Sequence, residues 1–168
     1  MKKIAIFLTL SAIFFTGCSL ADLLVDEVEV HNGLIQKMDG VLMAEENFYN
    51  EYWALADDGG IALFVEAYGE FEVSVEELDE YFTDTRFASG QQVFVDEYND
   101  TYKGFMQEYL EKAGEFKDVI ESDGYTFEAM EPYFADLDKM TEDYVEMHNK
   151  LIDTINLQAD YTSEGMSY

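Results

Sequence analysis

The segment HNGLIQKMDGVLMAEENFYNEYWALA (residues 31–56) carries the pattern that decides the fold. Apart from Glu45, the side chains reached in alternating steps of four and three residues are apolar or aromatic: Leu34, Met38, Val41, Phe48, Tyr52 and Leu55. A 3.5-residue period held over this length predicts a helix that packs against other helices along one face. The same steps continue backwards through His31, Glu27 and Leu24 to Leu20, so the helix is expected to begin near residue 20.

Three further stripes of the same kind follow along the chain. Their members are Ile61, Phe64, Tyr68, Phe71, Val75, Leu78 and Phe82; Phe94, Tyr98, Tyr102, Phe105, Tyr109, Ala113, Phe116 and Ile120; and Phe127, Met130, Phe134, Leu137, Thr141, Tyr144, His148, Leu151 and Ile155. Four such helices with short connections predict an all-α fold, an antiparallel four-helix up-down-up-down bundle with coiled-coil-like seams.

Two features set the limits of this bundle. Gly69 and the capping sequence at Ser74 favour a break near residue 72, so three long helices plus a short helical insert are the alternative. The predicted bundle domain covers residues 18–161. Residues 162–168 have no periodicity and are expected to form a frayed tail.

Residues 1–17 have the layout of a secretory signal peptide, since two lysines precede an apolar stretch too short for a comfortable membrane span. The tetrapeptide Phe15-Thr16-Gly17-Cys18 resembles the lipobox of bacterial lipoproteins, and Cys18 is the only cysteine. The resemblance implies cleavage before Cys18 and acylation of its sulfur, for example with palmitate. Two acyl chains would anchor the protein stably in a membrane. A signal peptide cleaved elsewhere, or an uncleaved anchor helix over residues 4–21, are the alternatives.

The chain is strongly acidic, with a formal net charge of −28 at pH 7. Removal of residues 1–17 would take away two lysines and no acidic residue, which brings the charge to −30. Such a surface repels nucleic acids and anionic lipid headgroups, so nucleic-acid binding is not expected. Disorder is common at this charge, but 48% hydrophobic and 15% aromatic residues predict a folded core.

Both histidines lie in near-copies of one octapeptide, VEVHNGLI at residues 28–35 and VEMHNKLI at residues 145–152. In antiparallel first and last helices, their distances from the predicted helix ends put His31 and His148 at about the same height. One hypothesis is a divalent-metal or haem site inside the bundle, with Glu27 one turn from His31. The other, which we favour, makes both imidazoles polar members of packed layers that fix the helix register, with no cofactor.

Other candidate residues are few. Tyr49 and Trp53, on the flank of the first stripe, are candidates for surface binding because aromatic rings stack on sugars and peptides. Glu45 is expected to lie at a seam edge that faces solvent, and a buried carboxylate is the alternative. The sequence contains no Gly-x-Ser-x-Gly, phosphate-loop or His-Glu-x-x-His element, so the chain is predicted not to be an enzyme.

A lipobox, an acidic helical chain, YNDTY at residues 98–102 and EYLEKA at residues 108–113 together resemble the cell-wall-binding lipoproteins of Gram-positive bacteria (YkyA-like). The resemblance implies a non-enzymatic role at the envelope. We therefore expect a lipid-anchored, extracytoplasmic binding or structural module on the cell membrane or outer membrane. Its partner would be a cell-wall polymer or another envelope protein.

Overall fold

The computed structural model describes residues 25–55, 60–122 and 126–165, with side chains described as far as residue 156. Within these ranges the chain is all-helical and contains no strand. Its elements in order are α1 (Glu27–Ala54), α2 (Ile61–Asp84), a 3₁₀ turn (Ser89–Gln91), α3 (Gln92–Glu97), a π-helical turn (Tyr98–Tyr102), α4 (Lys103–Glu121) and α5 (Phe127–Gly165). Because α3, the π turn and α4 form one continuous rod, the predicted all-α chain of four long helices is confirmed.

Helix α1 begins later than the periodicity predicts. Asp26 is its N-cap, and Oδ1 of Asp26 accepts hydrogen bonds from the backbone N–H groups of Val28 (3.2 Å) and Glu29 (3.0 Å). A side-chain oxygen that satisfies these free N–H groups stabilises a helix start by about 1 kcal/mol. The predicted start near residue 20 is therefore wrong, since residues 25 and 26 are not helical. Cys18, Leu20 and Leu24 lie outside the described residues.

Helix α2 is unbroken. Ser74 does not cap a new helix, because its Oγ donates to the carbonyl oxygen of Phe71 (2.8 Å) inside α2. The buried stripe continues through Phe71, Val75 and Leu78 without a change of phase. The predicted break near residue 72 is therefore wrong, and with it the alternative of three long helices plus a short insert.

The third rod changes its helical pitch at the π turn. Its buried side chains are Phe94, Tyr98, Tyr102, Met106, Tyr109, Ala113, Phe116 and Ile120. The three consecutive steps of four between residues 94 and 106 exceed the roughly 3.6 residues of an α-helical turn, and the wider π turn absorbs the excess. Met106 thus takes the buried position that the sequence pattern assigns to Phe105, which is only partly buried.

Helix α5 is the longest element among the described residues. It contains Pro132 in its second turn, close to the helix start where a proline is best tolerated. The helix runs to Gly165, so residues 162–165 of the predicted frayed tail are helical. None of the helices in the described ranges is long and apolar enough to cross a membrane.

Neighbouring helices pack antiparallel around one core. Phe48 of α1 lies against Phe64 at the start of α2, with 5.4 Å between ring centroids, while Tyr81 near the end of α2 donates to the carbonyl oxygen of Val30 (2.8 Å). Helix α4 packs against α2 and α5, and α5 packs against α1. The largest fully buried side chains are mostly aromatic: Tyr52, Tyr98, Tyr102, Tyr109, Tyr144, Phe48, Phe64, Phe71, Phe94 and Phe116.

The register of α1 against α5 decides which side chains of the two helices can meet. The Tyr52 hydroxyl donates to the carbonyl oxygen of Phe134 (3.4 Å). Seven residues away on each helix, Glu45 and Thr141 share the hydroxyl group of Tyr109. This register places His148 at the height of Met38.

Candidate functional site

The residues predicted to hold a metal or haem do not come together. His31 is partly exposed and lies seven residues before Met38, which is about 10 Å along the bundle from the layer of His148. Glu27 lies in the first turn of α1, where its carbonyl oxygen accepts from Nε2 of Gln91 (3.2 Å). Among the residues that the structure describes, no three His, Cys, Asp or Glu side chains form a group that could hold a metal ion. The predicted site is therefore not formed by His31, His148 and Glu27.

His148 is instead a member of a buried polar layer. It is 3% exposed, and its Nδ1 lies 3.1 Å from the Tyr144 hydroxyl and 3.5 Å from the Tyr102 hydroxyl. Burial lowers the pKa of His148 and so favours the neutral imidazole, whose Nδ1 lies within hydrogen-bond distance of both phenols. This arrangement supports the packing interpretation for His148.

Glu45 is buried, and the expectation that it faces solvent is wrong. Its side chain is 3% exposed, and Oε1 accepts a hydrogen bond from the Tyr109 hydroxyl (2.8 Å). The same hydroxyl lies 2.6 Å from Oγ1 of Thr141. Burial raises the pKa of Glu45, and the hydrogen bonds only partly oppose that rise. Both polar layers are enclosed by helices, so neither offers a surface to a ligand.

A surface of aromatic side chains lies where the end of α1 meets the start of α5. We call it the aromatic surface and define it as Tyr49, Tyr52, Trp53, Phe127 and Phe134. Trp53 is 47% exposed and Phe127 is 60% exposed, although both are large and apolar. Tyr52 is buried and forms the floor between them.

The rings of the aromatic surface form a continuous chain across the two helices. The ring centroids of Trp53 lie 6.3 Å from Tyr49 and 5.5 Å from Tyr52. Tyr52 lies 5.7 Å from Phe134, and Phe134 lies 5.5 Å from Phe127. Such spacings are normal for aromatic contacts and hold the exposed rings in fixed orientations. The structure therefore brings the two predicted surface residues, Tyr49 and Trp53, together and extends their surface onto α5.

Asp138 lies beside this surface, one helical turn after Phe134. Its Oδ1 is buried and has no hydrogen-bond partner within the described part of the chain. Burial and, after it, the negative charge of Asp138 raise the pKa of Tyr52, the floor of the aromatic surface. A buried carboxylate oxygen without a donor is costly, which makes this residue notable.

The lysines of the described residues form ion pairs with carboxylates. All six lysines of this part of the chain form ion pairs: Lys37 with Glu77, Lys103 with Asp79, Lys112 with Glu115, Lys117 with Asp118 and Glu121, Lys139 with Asp143, and Lys150 with Glu97. Each pair is partly exposed and adds little stability. The pairs leave the surface strongly negative.

Sequence patterns indicated only part of this site. The sequence pattern indicates Tyr49 and Trp53 by their position beside the first seam, but it places Phe127 and Phe134 on the fourth seam, as core residues. Phe127 is exposed because it is the first residue of α5, and Phe134 is partly buried. A signal for the Glu45 layer was present, since polar groups recur on three seams at Glu45, Tyr109 and Thr141.

Comparison with protein-family models, with curated proteins and with solved structures finds no match for this chain.

Proposed function

We propose that this protein is a lipid-anchored, extracytoplasmic and non-enzymatic binding module of the cell envelope, and that the aromatic surface is its binding side. The observation that carries the proposal is the exposure of Trp53 and Phe127, which are linked by contacts through the rings of Tyr52 and Phe134. Exposed contiguous apolar surface on an otherwise polar protein marks an interaction site.

The proposed anchor and the proposed binding side belong to opposite ends of α1. Trp53 lies 26 residues after Glu27, which is about 39 Å along the helix axis. Cys18 precedes Glu27 by nine residues, a length that reaches at most about 30 Å when fully extended. Acylation of Cys18 would therefore hold the start of α1 near the bilayer and leave the aromatic surface far from that end of the bundle.

Charge supports the same orientation. Because the net charge is −28, anionic lipid headgroups repel the bundle. This repulsion disfavours an orientation in which the helices lie on the membrane. The lipid would supply location and the bundle would supply a rigid, exposed surface.

A binding role is favoured over catalysis by the position of the titratable groups. Glu45 and His148, whose pKa values are shifted by burial, both lie in the enclosed core. A general acid or base has to reach the proton that it transfers, and neither group reaches the surface.

The anchor is tested by replacing Cys18 with serine. We expect the wild-type chain to incorporate a clickable palmitate analogue and to fractionate with membranes. Cys18→Ser should lose the label and be released, whereas Ser19→Ala, the control one residue further on, should behave as wild type. Retention of unlabelled Cys18→Ser in the membrane would contradict lipid anchoring and favour an uncleaved anchor helix.

A further inference from the structure

We infer that the aromatic surface binds a basic amphipathic segment of a partner protein, in which a lysine or arginine side chain meets Asp138. The inference rests on the proposed function, because it names the class of partner for that same surface. Three independent observations lead to it: the exposed rings, the carboxylate oxygen without a donor, and the sign of the surrounding charge.

The rings supply the apolar part of the contact. Trp53 and Phe127 project from different helices, and Tyr52 lies between them as a buried floor. Apolar rings presented by two neighbouring helices offer a contact to the apolar face of a third helix. Aromatic faces also attract cations at distances within about 6 Å, most strongly for tryptophan.

Asp138 supplies the polar part. Its Oδ1 is buried without a hydrogen-bond partner among the described residues, while the residue as a whole is only partly buried. An ammonium or guanidinium group that approached the outer side of this carboxylate would compensate its charge. A carboxylate next to aromatic rings is a suitable site for a lysine or arginine side chain.

The rim of the aromatic surface is negatively charged, as Asp138 is. Glu46 lies one helical turn before Tyr49, and Glu131 lies within one turn of both Phe127 and Phe134. Both glutamates are exposed. The nearest lysine on α5, Lys139, is paired with Asp143 at 3.1 Å.

This rim discriminates between classes of partner. Anionic polymers are repelled by it. An uncharged glycan can stack on the rings and donate hydroxyl groups to Asp138, but it brings no positive charge to this rim. A basic amphipathic segment covers the rings and also compensates the negative charge of Asp138 and of the two glutamates, so it is the partner that the surface favours.

The test uses the full-length protein in nanodiscs of zwitterionic lipid, with empty discs as the blank. Trp53 is the only tryptophan, so its fluorescence reports directly on the aromatic surface. The probe is a synthetic helical peptide without tryptophan, with leucine along one face and lysine along the other. A second peptide carries glutamine in place of every lysine.

We expect the lysine peptide to change the Trp53 emission saturably, with at least tenfold weaker binding for the glutamine peptide. Added salt should weaken the lysine peptide more than the glutamine peptide, because salt screens charges. Phe127→Ser and Asp138→Asn should each weaken the lysine peptide at least fivefold. Val73→Ser removes an apolar side chain that is 52% exposed on α2 and should leave binding unchanged. Circular dichroism melts verify that each variant is folded.

Two results would overturn the inference. If folded Phe127→Ser and Asp138→Asn bind the lysine peptide as wild type does, the attraction is non-specific. If the lysine peptide has no effect but soluble N-acetylglucosamine oligosaccharides change the Trp53 emission, the partner is a glycan. The proposed binding function would then stand while the basic partner is wrong. No response to either probe would contradict both.

Discussion

Glu45 places a carboxyl group in the centre of a bundle whose other core members are mostly apolar. The Tyr109 hydroxyl can donate to this carboxylate while it accepts from Thr141, so the polar atoms form a connected chain. Burial is nevertheless the largest influence on the carboxyl group, and it raises the pKa of Glu45. The ionised form is therefore held in the core at a cost.

Glu45→Met should stabilise the protein at pH 7–8 by about 1–2 kcal/mol, because methionine fills a similar volume without a charge. Tyr109 keeps Thr141 as a partner in this variant. Thermal melts followed by circular dichroism measure the gain, and Glu46→Gln, an exposed neighbour, is the control that should not change stability. A lower melting temperature for Glu45→Met would mean that the buried network contributes net stability.

The pH dependence of that gain has a definite sign. The folded pKa of Glu45 is raised, so between the unfolded value of 4.5 and the folded value the folded state holds a proton that the unfolded state has lost. Stability from this group is therefore present at low pH and declines as pH rises through that window. The advantage of Glu45→Met should grow from pH 4 to pH 8. An advantage that shrinks with rising pH would contradict a raised pKa.

Gly33 and Gly40 lie on the same helix in opposite surroundings. A Cβ atom at Gly33 would come within 2.9 Å of Cζ and 3.0 Å of Cε2 of Tyr81, whereas a Cβ atom at Gly40 would meet nothing within 4 Å. Gly33→Ala should destabilise the protein by about 1–3 kcal/mol, since the Tyr81 ring must move and its hydrogen bond to Val30 weakens.

Gly40→Ala should stabilise the protein by about 0.5–1 kcal/mol through helix propensity alone. Urea denaturation of both variants measures the difference. Equal effects of the two substitutions would show that α1 and α2 do not approach each other closely at Gly33.

At the scale of elements, the π turn resolves a conflict between spacing and helical pitch. The buried residues from Phe94 to Met106 follow in three steps of four, whereas those from Met106 to Ile120 alternate between three and four. In a continuous α-helix each step of four turns by about 40°, so Phe94 and Met106 would lie about 120° apart and could not both face the core. The extra residue of the π turn keeps both of them, and the two tyrosines between them, buried.

Deletion of Asp100, an exposed residue of the π turn, should be tolerated. The buried positions would then alternate regularly between steps of four and three, so a plain α-helix could bury the same side chains. Deletion of Glu111, an exposed residue of α4, should unfold the bundle, because every following core residue would turn by about 100°. Circular dichroism and thermal melting distinguish the two. A Glu111 deletion as stable as the Asp100 deletion would contradict this account of the π turn.

The helices were predictable because seam spacing is a local property of the sequence. The exact residues at which the helices begin and end were less predictable. The cap at Asp26 acts more strongly than the apolar pattern that continues back to Leu20, and the buried phase of α2 continues past the capping sequence at Ser74. The three steps of four in the sequence indicate the π turn only if Met106 is taken as the buried residue. Phe105, which is also apolar, fits the regular spacing of an α-helix and therefore hides this signal.

The position of the histidines could not be derived from spacing. A shift of α1 against α5 by seven residues leaves every seam position on a seam, so the periodicity alone permits both registers. The actual register is chosen by specific contacts such as Tyr52 with Phe134 and Glu45 with Tyr109. Those contacts place His31 and His148 at different heights along the bundle. They also bring Trp53 close to the first turns of α5.

For the whole molecule, we propose that a lipid anchor at one end of the acidic bundle leaves the aromatic surface free to bind at the other. The bundle combines a net charge of −28 with two large exposed rings on adjoining helices. The charge repels anionic surfaces, while the exposed rings offer a surface on which association is favourable.

The most direct measurement is photo-crosslinking in living cells that produce the protein. A photoreactive amino acid replaces Asn50, an exposed residue one turn before Trp53, or Val73 on α2 as the control. We expect a discrete crosslinked product from position 50 that Phe127→Ser abolishes, and no such product from position 73. The same products from both positions, or none from position 50, would show that the aromatic surface is not the binding side.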